Sequence, residues 1–141
     1  MNDNITLKKI WQDDEVIQLR VMCSSSVAMA ISEIYVSNSL IDELIYQINQ
    51  FLNGNVEEAS WKNESKGDTS TACVAFRFLK KDRLGHVFIE AFMELDDGGK
   101  YTEHNSCFFI NTEYGMLMKF CESLTKLKTD YENYEVRLNE F

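Results

Sequence analysis

The chain has 141 residues, 45% of them hydrophobic and 12% aromatic, which supports one packed core and excludes a disordered chain. Its 23 acidic residues outnumber 14 Lys and Arg, for a net charge of −9 at pH 7. Such an excess repels nucleic-acid phosphates and anionic lipid headgroups, and it leaves basic protein surfaces or metal cations as natural partners. Solubility alone is the bland explanation of the same charge. No apolar run approaches the roughly 18 residues of a membrane span. The opening Met1-Asn2-Asp3-Asn4 lacks the basic and apolar regions of a signal peptide. A cytoplasmic location and no membrane partner are therefore expected. Cys23, Cys73, Cys107 and Cys121 form no CxxC and no cluster, which fits reduced thiols packed as small hydrophobes.

In chain order, a weak strand signal surrounds Ile5, Leu7 and Trp11. Residues 15–23 alternate, with Ile17, Leu19, Val21 and Cys23 on one face, and residues 27–36 are rich in β-branched and small side chains. Ser24-Ser25-Ser26 is a turn between these two strands. The period then changes. Leu40, Ile41, Leu44, Ile45, Ile48, Phe51 and Leu52 form one helical stripe, with Ser39 and Asp42 as an expected cap and Asn53-Gly54 as the stop. Residues 53–70 read as a polar break, interrupted by Trp61, which is expected to fold back on the core.

Residues 72–79, 86–95 and 101–110 read as a three-strand meander. Lys80-Lys81-Asp82-Arg83-Leu84-Gly85 and Asp97-Gly98-Gly99-Lys100 form its turns. Placing Leu79 opposite His86 and Asp97 opposite Lys100 puts Val74, Phe76, Phe78, Val87, Ile89, Met93, Leu95, Phe108 and Ile110 on one inner face. Residues 113–128 are helical again. Tyr114, Leu117, Met118, Cys121, Leu124 and Leu127 form the stripe, Asn111 or Thr112 the cap, and Lys126 and Lys128 suit the C-terminal end. The tail 129–141 carries no assignable pattern. The expectation is a single α+β domain over 1–141: an antiparallel β-sheet of five to six strands with two helices packed on one face. Its halves are a strand-strand-helix unit over 1–53 and a meander plus helix over 71–128.

The same register sends His86, Phe88, Glu90, Phe92 and Glu94 outward, with Glu103, Asn105, Cys107 and Phe109 beside them. Glu94 faces Glu103, a pairing that favours a cationic partner. Rings supply anchor area and carboxylates supply electrostatic choice, so Phe88, Glu90, Phe92, Glu94, Glu103 and Phe109 form the expected partner-binding face. Cover by another layer or by a second copy is the competing reading of those rings. His104 and Cys107 fall on opposite faces of a strand, and the Asp96–Asp97 region lacks the ligand spacing calcium needs, so no metal is expected. Glu90, Glu94 and Glu103 as a glycosidase-type pair and Cys107 with His86 as nucleophile and base are weak readings. Phosphate-binding, zinc-protease and nucleophile-elbow motifs do not occur. No enzyme activity and no cofactor are expected. The basic turn at Lys80, Lys81 and Arg83 is too small to bring in nucleic acid against the net charge.

Several features resemble the WapI-like immunity proteins of bacterial polymorphic toxin systems. They are the helix carrying Leu44 and Phe51, Trp61 followed by a strand, Gly85-His86-Val87-Phe88-Ile89, the strand ending Phe108-Phe109-Ile110, and the closing helix with Leu117, Phe120, Leu124 and Leu127. The resemblance covers residues 38–127. It implies an inhibitor that binds a cognate basic toxin domain, often a nuclease, and blocks its active site or substrate path. The alternatives are a homodimeric structural or ligand-binding domain and a small enzyme with a cavity between sheet and helices.

Overall fold

A computed structural model describes residues 2–64, 71–95, 104–129 and 133–140. Its elements run β1 (Asn4–Gln12), β2 (Ile17–Ser24), β3 (Met29–Val36), α1 (Asn38–Leu52), β4 (Glu58–Lys62), β5 (Val74–Lys80), β6 (His86–Glu94), β7 (Asn105–Glu113), α2 (Tyr114–Leu124), α3 (Lys126–Thr129) and β8 (Glu135–Arg137). The fold is α+β, but the strands form two four-stranded antiparallel sheets, not one sheet of five or six. Their orders are β3-β2-β1-β8 and β4-β5-β6-β7.

The added strands are those with the shortest or least regular patterns. The tail supplies β8, which pairs Val136 with Leu7 of β1. The expected break supplies β4, whose Glu58-Ala59-Ser60-Trp61-Lys62 alternates exposed and buried. In β1, Ile5, Leu7 and Lys9 all point inward, and the register slips between Lys9 and Trp11. That bulge rotates the strand, so Trp11 is exposed while Lys9 is fully buried. The Lys9 ammonium donates to Gln12 Oε1 at 2.8 Å.

Both sheets turn their apolar faces to one continuous core. Side chains of the first sheet (Leu7, Leu19, Ile34), of the second (Trp61, Phe76) and of the helices (Ile41, Leu44, Leu124, Leu127) line a common interior. The helices pack against one another and on strands of both sheets: α1 packs on α2 and β4, and α2 contacts β7 and β8, while the sheets also meet directly where β7 touches β1 and β2 and where β6 touches β3.

Helix α1 is capped by Ser37, whose side chain accepts the Leu40 N–H. The expected cap, Ser39, lies inside the helix. Asn53 and Gly54, with φ of +75° at the glycine, end α1 as the sequence suggests. Asn111 and Thr112 do not cap α2, because β7 runs through both to Glu113, and Glu113 makes no side-chain capping bond.

The meander keeps its predicted faces but not its predicted register. Phe78 lies opposite Ile89 and Phe76 opposite Ala91; Ile89 lies opposite Ile110 and Val87 opposite Thr112. Each hairpin is displaced by two residues. A shift of two preserves which side every residue faces, so the inner set from Val74 to Ile110 is buried, with Leu95 half-buried. Glu94 therefore lies opposite Asn105, not Glu103. Glu103 and the expected Asp97–Lys100 turn lie outside the described residues.

Candidate functional site

The outer face of β5, β6 and β7 gathers most of the expected binding residues. Phe88 and Phe109 sit diagonally across β6 and β7 with ring centroids 6.0 Å apart. Phe109 is 56% exposed, an unusual cost for a phenyl ring on a strand whose opposite face is packed. Phe92 is half-buried on the same side, opposite the exposed Cys107.

The carboxylates are not equally free. Arg77, directly opposite Glu90, donates from Nε at 2.9 Å and lies 2.5 Å from it at Nη2, with Glu58 on its far side at 4.0 Å. Glu94 accepts the Cys73 N–H at 2.8 Å, while its own N–H donates to Cys73 O at 2.8 Å. Glu90 is therefore part of a neutralised surface network, and Glu94 fastens the start of β5 to the end of β6. An open concavity of about 550 Å³ lies beside this network, lined by Arg77, Glu90, Phe92, Ser60, Lys62 and Glu43. Its β4 wall was hidden in the sequence by the turn-like residues around Glu58–Lys62, although their strict alternation was the available signal.

A second, polar concavity of about 370 Å³ lies at the other end of the sheet, where Asp3, His86, Asn111, Glu113 and Asn139 meet. Asn111 donates from both N–H and Nδ2 to Asp3 Oδ2, each at 2.9 Å. Asn139 accepts from Thr112 Oγ1 at 2.6 Å and donates Nδ2 to the carbonyls of Asp3 and Asn111, each at 2.9 Å. These bonds join the β1 and β8 ends of the first sheet to β7 of the second. His86 Nδ1 sits 2.6 Å from Asp82 Oδ2. The His86 side chain, then the Leu84 amide, hold the Asp82 carboxyl below its ordinary pKa of 3.8.

Among the described residues, the pairs expected for catalysis lie far apart. Cys107 lies opposite Phe92, six residues along β6 from His86, or about 20 Å at strand rise. Of the three expected carboxylates, Glu90 and Glu94 are about 13 Å apart on the same count, beyond the spacing of a glycosidase pair, and Glu103 lies outside the described residues. Among the described residues, no three His, Cys, Asp or Glu side chains converge in metal-binding geometry. Nor, among the described residues, is any helix long and apolar enough to cross a membrane. Burial pushes the Cys23 thiol up to about 12, and burial with Glu122 nearby pushes Cys121 up to about 11, so neither is an activated nucleophile. Family models, curated proteins and solved structures, compared with this chain, give no match.

Proposed function

We propose that the protein is an immunity-type inhibitor that binds a basic toxin domain through the outer face of β5–β7. The observation carrying this reading is the outer-face Phe88–Phe109 pair, with Phe109 exposed and Phe88 half-buried, set in a chain of net charge −9. The rings offer rigid apolar anchors, and the acidic field speeds encounter with a basic partner while adding little to the final contact energy. Because Glu90 is held by Arg77 and Glu94 by the Cys73 amide, affinity rests on Phe88, Phe92 and Phe109. The acids act mainly at long range, together with Glu103. The resemblance to WapI-like immunity proteins supplies the partner class.

The test is protection. A basic toxin domain encoded beside this chain is expressed with and without it, and growth is followed. Wild-type protein restores growth, and a Phe88→Ala/Phe109→Ala double variant with unchanged circular dichroism does not. Protection by the double variant equal to wild type would overturn the assignment of this face, and no binding of that toxin domain would overturn the function.

A further inference from the structure

Three of the four sheet edges are managed. Strand β8 is three residues long and has Glu135 and Arg137 facing out. Strand β4 is five residues long and carries Glu58 and Lys62. Strand β7 lies against β1 and β2, and its Asn111 N–H is taken by Asp3. Short length, charge and cover are the usual protections against unwanted strand pairing.

Strand β3 touches β6 from its buried face, where Ser32 Oγ donates to Glu94 O at 2.9 Å, but among the described residues the open edge of its first half has no such protection. It is eight residues long, contains no Lys, Arg or Pro, and its single charge, Glu33, is bound by Arg20 at 3.1 Å. The Ser25 N–H bond to Ala28 O closes the β2–β3 hairpin. The hydrogen-bonded pairs that follow are Cys23/Ala30, Val21/Ser32, Leu19/Ile34 and Ile17/Val36. Met29, Ile31, Glu33 and Tyr35 therefore aim their N–H and C=O groups at the open side. Tyr35 N–H is satisfied by Thr71 Oγ1 at 3.1 Å. Among the described residues nothing meets those of Met29, Ile31 and Glu33. On the outer face the same stretch shows Met29 and Ile31, both exposed, beside the half-buried Met22.

We propose that β3 pairs antiparallel with β3 of a second copy about a two-fold axis at Ile31. The free groups are symmetric about that residue, since Met29 and Glu33 are each two positions away. In this register Ile31 faces Ile31 of the second copy, Met29 faces Glu33 in both directions, and about six backbone hydrogen bonds form. The charges are compatible as well. No like charges oppose one another, and each Glu33 is already neutralised by its own Arg20, so a strongly acidic chain meets itself along a neutral strip. The two four-stranded sheets join into one of eight strands, with Met22, Met29 and Ile31 of both copies forming an apolar cluster on one side. The contact is narrow, so the dimer is a weak one.

The test combines sedimentation velocity over a micromolar concentration series with amide exchange by NMR. Wild-type protein is expected to show a monomer–dimer equilibrium, with the amides of Met29, Ile31 and Glu33 gaining protection as concentration rises. Ile31→Lys, at a site already 46% exposed, is expected to weaken the dimer by about tenfold or more with an unchanged circular dichroism spectrum. Phe109→Lys, the same charge change on the other face, is expected to leave it intact. A wild-type monomer throughout the series overturns the proposal. So does a dimer that survives Ile31→Lys, or one in which those three amides stay unprotected.

Discussion

Replacing Trp61 tests whether β4 closes the core. The indole is 7% exposed, stacks on Phe76 with ring centroids 5.7 Å apart, and donates Nε1–H to Leu40 O at 2.9 Å. Trp61→Ala removes a buried aromatic of about 200 Å² that faces both helices and the first sheet. At about 25 cal/mol per Å² the transfer loss alone approaches 5 kcal/mol, and measured aromatic-to-alanine changes in cores fall at about 3–5 kcal/mol. Trp61→Phe keeps most of the stack and loses the indole bond, worth about 1 kcal/mol, plus one ring of volume. It should cost roughly 1–2 kcal/mol. Urea unfolding followed by circular dichroism measures both. The midpoints should fall in the order wild type, Phe, Ala with a constant m-value, and Tm should drop by about 10 °C or more for Ala. Trp11, 41% exposed, remains as a fluorescence reporter in each variant. A loss below about 1 kcal/mol for Trp61→Ala would refute the packing of β4 against α1.

Thiol titration with an aromatic disulfide should find Cys107 alone reactive in the native protein, because Cys23, Cys73 and Cys121 are buried. All four should react in denaturant. The unfolded thiols ionise near 9.0 while Cys23 stays protonated to about 12. The Cys23 contribution to stability should therefore be constant below pH 9 and fall above it, and Cys23→Ala should remove part of that slope. The lowered Asp82 carboxyl stabilises the fold above its unfolded pKa of 3.8 and loses that contribution as pH falls through its folded value; Asp82→Asn should flatten the acid limb of a pH–stability curve. Asn139→Ala removes two bonds to β7 of the other sheet and a third to Asp3 O beside β1 and should lower the urea-derived stability by about 2–3 kcal/mol. A change under about 0.5 kcal/mol would show that the junction is not held there.

How far the sequence could be read was set by the period of each element. The meander's alternation assigned every inner residue from Val74 to Ile110 to its correct side, because side-chain direction depends only on parity. Register depends on the turn as well, and an offset of two leaves parity untouched. The facing of Glu94 and Glu103 was therefore beyond what alternation can decide. The helix stripes survived because seven apolar positions over thirteen residues admit only one periodicity. Strand β8 was invisible because three residues carry no period, and Trp61 lay in a segment whose flanking Asn, Gly and Ser mask five alternating positions. Lys9 was unreadable for a different reason: its place in line with Ile5 and Leu7 is a core position, and a lysine there looks like a break in the pattern. At the candidate site the rings were legible, but the Arg77–Glu90 pair and the Glu94–Cys73 bond are tertiary facts that give two expected binding acids partners within the chain.

The most direct test of the binding face is the affinity of the basic toxin domain for wild type and for Phe109→Ala, with association rates taken at low and high salt. The proposed face predicts a dissociation constant raised about tenfold or more by Phe109→Ala, mostly through faster dissociation, and a wild-type association rate that falls steeply with salt. Equal affinities for the two proteins, with a salt-independent association rate, would contradict it.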